Sequence, residues 1–350
     1  MNNKSKRPLL SFFLIAISLI IGLMFIEVIA RVFDLAPPLD QQYAGNIPDP
    51  YVPHLPKPMS VSSGRSATDE FDYLNKHNIV GFRDVDHTHE KPAEVFRILG
   101  LGDSFTYGVG VNFEQTYLYR LEHMLNSRSG DHPEVEIIKA GIPRYYPEAE
   151  RKLFDSYGKQ YSPDLILVGF VPNDIIDTFF GSDTFVVDES GYLISREAEQ
   201  LGPLAVNLYK NSHIARMALN YYITDQINKK FSPRWEDVFI QNGFHETDWL
   251  KVEQEYSKII SSAEQIGAKT VFVHIPQNGP WEQKHSYPAE RLATWSDKHS
   301  TGFVDVLPAM AAASKIKTLY YEKDGHCNTE GYEVIAEVIF KYLTEHNLVP

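Results

Sequence analysis

The chain has 350 residues, 43% of them hydrophobic, which suffices for one large domain with appendages and a sizeable buried core. Its formal net charge of −13 argues against nucleic acid or an anionic membrane surface as the main partner, because both select basic patches. Neutral glycans, acyl esters and cationic material are left as partner classes, and the single cysteine, Cys327, excludes an intrachain disulfide.

At the amino terminus Lys4, Lys6 and Arg7 precede an apolar run from Leu9 to Ile26, interrupted only by residues such as Ser11, Ser18 and Gly22, before Glu27 and Arg31. A helix of that length spans a ~30 Å hydrocarbon core. The basic residues place its amino side in the cytoplasm. A cleavable signal peptide is the rival, since Val28-Ile29-Ala30 offers a small residue to a signal peptidase. The length of the apolar run favours an uncleaved, single-pass anchor over residues 1–33. In either case the remainder is extracytoplasmic, periplasmic or extracellular.

Residues 34–94 begin rich in proline, with Ala36-Pro37-Pro38, Pro48-Asp49-Pro50 and Pro53-His54-Leu55-Pro56-Lys57-Pro58. Proline at this density forbids a continuous helix and predicts a stalk, or an extended layer laid over the domain. From residue 95 short apolar runs alternate with helical patterns: Val95–Leu101, Val135–Ile138, Leu165–Phe170, Thr270–Ile275 and Phe303–Val306. Such alternation predicts a parallel sheet with helices on both faces, and a ligand site outside the carboxyl ends of the strands. Within this domain, 95–350, a long insertion covers about 179–249. Phe185-Val186-Val187 and Tyr192-Leu193-Ile194 flank Asp188-Glu189-Ser190-Gly191 as a hairpin, and Leu204 to Ile227 is helical in pattern. The insertion leaves the chain beside Asn173, a position suited to roofing a site.

Four strand ends carry chemistry-bearing residues. Gly102-Asp103-Ser104-Phe105-Thr106 follows the first run, and Ala140-Gly141-Ile142-Pro143-Arg144 follows the second. Pro172-Asn173-Asp174 follows the third, while Asp324-Gly325-His326 precedes Asn328-Thr329-Glu330-Gly331 and an apolar periodic helix. A serine hydroxyl is a weak nucleophile until an imidazole takes its proton, and the imidazole works best when an acid fixes its tautomer. Taken singly, Ser104 is an ordinary helix-capping serine, His326 a surface histidine and Asn173 a turn residue.

Together, in this order, the four blocks resemble the SGNH (GDSL) hydrolase family, in its membrane-anchored extracytoplasmic form. The resemblance implies a three-layer α/β/α sandwich with a short parallel sheet, here with an amino-terminal transmembrane helix added. It implies Ser104 as nucleophile, His326 as base and Asp324 as its acid, with Glu322 as the rival acid. Oxyanion donors are implied at the Ser104 N–H, at Gly141 or Arg144, and at the Asn173 amide. Three departures mark this chain: Arg144 stands where the family has glycine, Val171 where the third block begins with glycine, and Lys323 where the aspartate usually stands. The Asp324-to-His326 spacing resembles extracytoplasmic polysaccharide acetyl-modifying branches.

The implied activity is a serine esterase acting on acyl esters, O-acetyl groups of an envelope or extracellular glycan being the favoured substrate. Alternatives are an O-acyltransferase working through the same acyl-serine, a lipase or lysophospholipase-type esterase and, last, a non-catalytic glycan-binding protein. No cofactor is expected, and the histidine spacing suggests no metal. His274 reads as a satisfied buried histidine, Cys327 as a small packed residue, Asp174 as a structural carboxylate, and Asp103 as a brace for the elbow.

Overall fold

A computed structural model describes residues 6–36, 39, 44–181, 185–230, 235–239, 245–278 and 286–350. Lys4, Pro37 and Pro38, singled out above, lie outside these residues. The chain forms two compact units, Met1–Leu39 with Ser195–Ser232, and Asp40–Ile194 with Pro233–Pro350.

The larger unit is built on five parallel strands, β1 (Val95–Gly102), β2 (Glu134–Gly141), β3 (Leu165–Phe170), β4 (Lys269–His274) and β5 (Gly302–Asp305). Their order is β2-β1-β3-β4-β5, with every neighbouring pair parallel. The near-continuous apolar runs read from the sequence are what such strands require, because both faces are covered. Side chains alternate accordingly. Leu99, Leu101, Ile166, Val168 and Phe272 meet one helical layer, from Pro147–Ser156, Glu246–Glu264 and Tyr287–Lys298. Ile98, Leu165, Leu167, Val271 and Val273 meet the other, from Tyr117–Asn126, Leu307–Ala313 and Thr329–Glu345. The sheet is thus the middle of an α/β/α sandwich. The chain leaves β1 toward β2, then crosses back to β3, so a crevice opens beyond the carboxyl ends of β1 and β3.

Residues 44–94, expected as a stalk or an overlaid layer, belong to this larger unit and lie on it. Two short antiparallel pairs, Asn46–Ile47 with Leu55–Pro56 and Val61–Arg65 with Asp72–Lys76, give the segment its shape. Val52, Leu55 and Phe82 join the core beneath the first helical layer. The buried guanidinium of Arg83 donates to the carbonyls of Leu74, Tyr107, Gly108 and Val111. Proline excludes helix here without excluding burial, and domain packing therefore begins well before residue 95.

The insertion divides between the units. Phe185–Val187 and Leu193–Ser195 pair as the expected hairpin, closed by Asp188 to Gly191. The pattern over Leu204 to Ile227 breaks into two helices, Pro203–Asn211 and His213–Lys230, because Ser212 adopts an extended conformation and its hydroxyl accepts from the Ala215 N–H. In the smaller unit these helices accompany Lys6–Val32, within which Ser11–Val32 is long and apolar enough to cross a membrane.

Candidate active site

β1 ends at Gly102, whose φ of +154° and crowded surroundings exclude any side chain: a Cβ there would stand 2.0 Å from Thr106 Oγ1. The chain can then turn at once into the four-residue helix Ser104–Tyr107. Asp103, not Ser104, caps that helix, its Oδ1 accepting from the Phe105 N–H at 2.8 Å. The serine hydroxyl is left for another partner. His326 Nε2 lies 2.8 Å from Ser104 Oγ, and His326 Nδ1 lies 2.5 Å from Asp324 Oδ1. Glu322, the alternative acid, is exposed.

The short Asp324-Gly325-His326 spacing works because Gly325 takes φ +84°, which folds the loop so that acid and imidazole face each other two residues apart. Two further contacts fix the loop. Glu70, from the amino-terminal layer, accepts from the backbone N–H groups of Lys323 at 3.0 Å and of Asp324 at 2.8 Å. Tyr320 and Cys327 close an antiparallel bridge across the loop. Cys327 itself is fully buried, and burial pushes its thiol far up, so the cysteine next to the histidine is packed and inert.

Of the second-block residues, Gly141 ends β2 pressed against the elbow helix, where a Cβ would come within 2.3 Å of the Tyr107 nitrogen. Arg144 stands in the left-handed region at φ +69°, the conformation a glycine adopts without cost. Its guanidinium sits 4.7 Å from the ring centre of Phe185 on the hairpin. Arg144, Phe185, Asp177 and His54 line one narrow cavity. Burial, with Arg144 adding to it, lowers His54 to about 4, so its ring is neutral at physiological pH. His54 also braces the second block from the amino-terminal layer, with Nε2 3.1 Å from the Pro143 carbonyl and its own carbonyl accepting from the Tyr145 hydroxyl at 2.6 Å.

Asn173 opens the helix Asn173–Phe180 after β3. Its Nδ2 donates to Asp103 Oδ2 and to Asp177 Oδ2, both at 3.1 Å, while its Oδ1 accepts from Gln277 Nε2 at 3.1 Å. The amide is therefore oriented from three sides. Asp177 and Gln277 were not singled out by the sequence reading. Asp177 carried a usable signal, being one helical turn beyond Asn173; Gln277 did not, since only the sheet order brings the end of β4 beside that of β3. Burial raises Asp177 to about 6 against the opposing pull of Arg144 and the Asn173 amide.

Beneath the elbow lies a second set of carboxyl groups. Burial pushes Asp103 up, opposed by the Asn173 amide, the Phe105 N–H and His326. Glu150 and Asp174 are both fully buried, and each is raised well above the ordinary range by burial and then by its acidic neighbours. Asp174 Oδ2 accepts from the Val171 N–H at 3.0 Å, the structural use expected of it, whereas neither Glu150 oxygen has a hydrogen-bond partner among the described residues. His274 is buried with Nδ1 2.8 Å from Asp305 Oδ1, a satisfied histidine.

The sequence model of the GDSL-like Lipase/Acylhydrolase family matches residues 101–334. No curated protein matches the chain. Among solved structures, similarity extends to TesA (12% identity, 71% of this chain and 98% of that one, TM-score 0.43). It extends also to a member of the lipolytic protein G-D-S-L family from Veillonella parvula DSM 2008 (12% identity, 71% and 98%, TM-score 0.41). A third is a catalytic mutant of Axe2, an acetylxylan esterase from Geobacillus stearothermophilus (10% identity, 71% and 94%, TM-score 0.44).

Proposed function

We propose, on the premise that the chain belongs to the GDSL-like lipase/acylhydrolase family and is an ester-hydrolysing enzyme, a serine mechanism acting on O-acetyl groups of an extracytoplasmic glycan. The observation that carries the mechanism is the unbroken line from Ser104 Oγ through His326 to Asp324. In it, Ser104 Oγ attacks the ester carbonyl as His326 Nε2 takes its proton. Asp324 holds Nδ1–H and stabilises the imidazolium. The tetrahedral oxyanion is met by the N–H of Ser104, by a second-block N–H and by the Asn173 amide. Arg144 is the better second-block donor, because it holds a glycine-like conformation while Gly141 is packed against the elbow helix. To serve, one Asn173 N–H swings from Asp177 to the substrate oxygen, and its amide stays oriented by Asp103 and Gln277. His326 then gives its proton to the leaving alkoxide oxygen, which departs as the alcohol; it next takes a proton from a water that attacks the acyl-Ser104 carbonyl and passes it to Ser104 Oγ as the acyl group leaves as the acid.

The substrate reading rests on export and on the acid-to-histidine spacing. The apolar helix Ser11–Val32 is read as an uncleaved anchor with Lys4, Lys6 and Arg7 inside, which puts the esterase unit among envelope or extracellular glycans. The test incubates the full-length protein with acetylated glycans and with lipid esters, and supplies a labelled acetyl donor with unacetylated glycan. Free acetate from the glycan is expected. Release from lipid esters alone would replace the substrate, and transfer of label to sugar in place of water would make the enzyme an acyltransferase.

A further inference from the structure

The smaller unit contains an arrangement that esterase chemistry does not use. Glu27 is the first charged residue after the apolar run of the amino-terminal helix, and its carboxylate closes the start of the helix His213–Lys230. It accepts from the Ser212 hydroxyl at 2.8 Å and from the backbone N–H groups of His213 at 2.9 Å and Ile214 at 3.0 Å. Arg31, one turn further, donates to Glu27 at 2.8 Å and to the Asn211 carbonyl at 2.5 Å. The acid that begins the polar end of one helix is thus the cap of another, 185 residues away in sequence.

This junction fixes a depth. From Leu9 to Ile26 a helix rises about 25 Å at ~1.5 Å per residue, close to the ~30 Å of a hydrocarbon core. Glu27 therefore emerges at the far boundary of a bilayer that the helix spans, and the two helices meeting at Ser212 are held at that boundary. Both turn apolar side chains outward. Leu204 and Leu208, one turn apart, are 74% and 43% exposed, and Met217 and Tyr221, again one turn apart, are 40% and 79% exposed, with Tyr222 beside them. Over residues 195–229 the charge has the sign that headgroup phosphates tolerate: Arg196, Lys210, Arg216 and Lys229 against Glu197, Glu199 and Asp225, in a chain of net charge −13. Tyrosine and leucine beside basic residues at an exit point are the composition of the membrane–water interface.

We propose that the helices Pro203–Asn211 and His213–Lys230 form a lipid-facing bed, seated in the outer headgroup region of the membrane that the amino-terminal helix spans. The proposal rests on the anchor reading, and it gives that reading a structural reason: cleavage after Ala30 would remove the cap from the second helix. The bilayer is the occupant, since the clamp at Glu27 and Arg31 leaves these helices no other depth.

The test uses the full-length protein in phosphatidylcholine liposomes. Single replacements Leu204→Cys, Leu208→Cys, Met217→Cys and Tyr221→Cys are labelled with an environment-sensitive fluorophore, the native Cys327 being buried. Leu19→Cys, inside the apolar run, is the fully embedded reference. Folding of each variant is checked by turnover of a small activated ester. Acyl-chain-brominated phosphatidylcholine is expected to quench the labels at 204, 208, 217 and 221 by about half the extent seen at 19, with aqueous iodide quenching them at least threefold less than free dye. Labels open to iodide and untouched by brominated lipid would overturn the proposal. Labels shielded from both would also overturn it, in favour of a protein partner or a second copy. A mature chain whose mass lacks residues 1–30 would overturn the proposal together with the anchor reading, while leaving the esterase mechanism standing.

Discussion

Asp324 and the group Asp103, Glu150 and Asp174 are carboxyls of one neighbourhood held in opposite ways. Asp324 is partly exposed, faces a histidine at 2.5 Å and has its loop pinned by Glu70. The other three are buried around the elbow, and each is raised by burial, with like-charged neighbours adding to it for Glu150 and Asp174. One carboxylate faces a base; the others share a buried site in which burial and like-charged neighbours disfavour ionisation. The contrast separates two placements: the partly exposed acid faces the imidazole, while of the buried acids Asp103 and Asp174 accept from the backbone N–H groups of Phe105 and Val171, close to the serine and the asparagine.

That contrast can be broken at its strongest point first. Ser104→Ala and His326→Ala should each lower ester turnover by roughly 10³-fold or more, and the double variant should lose little beyond either single one, because both act in one step. Additive losses would dissolve the pair. Asp324→Asn should cost roughly 10²- to 10⁴-fold through loss of the imidazole's orientation, whereas Glu322→Gln should change turnover by less than about twofold. Reversal of those two outcomes would move the acid to Glu322.

Next in size is the amide. Asn173→Ala should reduce kcat by roughly 10²-fold, the usual cost of one oxyanion donor of about 3 kcal/mol. Gln277→Ala, which only frees the amide to rotate, should cost several-fold in kcat with KM nearly unchanged. Equal losses in the two variants would show that Asn173 acts as scaffold, like the acids beneath it.

The buried side of the comparison is sharpened by stability. Because Glu150 binds its proton more tightly when folded than when unfolded, its contribution is complete below the ordinary glutamate value of 4.5 and is lost as pH rises through the raised value. Glu150→Gln should therefore gain on the parent as pH increases, by about 1 to 3 kcal/mol at pH 8, read as thermal midpoints from pH 4 to pH 9. A constant difference across that range would mean that Glu150 is ionised in the native protein. Turnover of a small ester should barely change.

The residues of the proposed chemistry were the more legible part. Ser104, Asn173, Asp324 and His326 each sit at the end of an apolar run or the start of a periodic helix, so local pattern marks them, and the five strands are continuous apolar stretches for the same reason. Arg144 was visible as a departure, but its left-handed backbone was not, because nothing in the residue type announces φ +69°. Glu150 hid within a helix whose other acids, Glu148 among them, are on the surface; only the three-dimensional path turns one of them inward. The amino-terminal layer was legible only as a choice between a stalk and an overlaid layer, because proline density reports the absence of helix and says nothing about whether a chain lies against a core or stands away from it.

That layer has a consequence for how the enzyme can be cut, moved or inherited. Family similarity begins at residue 101, yet Arg83 holds three carbonyls around the loop after the serine, Glu70 holds two amides of the acid–histidine loop, and His54 props the second block. A fragment beginning at the first strand would carry every reacting atom and lack the mould that sets three of its four loops. The larger unit accordingly begins near residue 40, as Asp40–Ile194 with Pro233–Pro350, and a proteolytic nick between residues 44 and 94 is expected to lower ester turnover without touching a group that reacts.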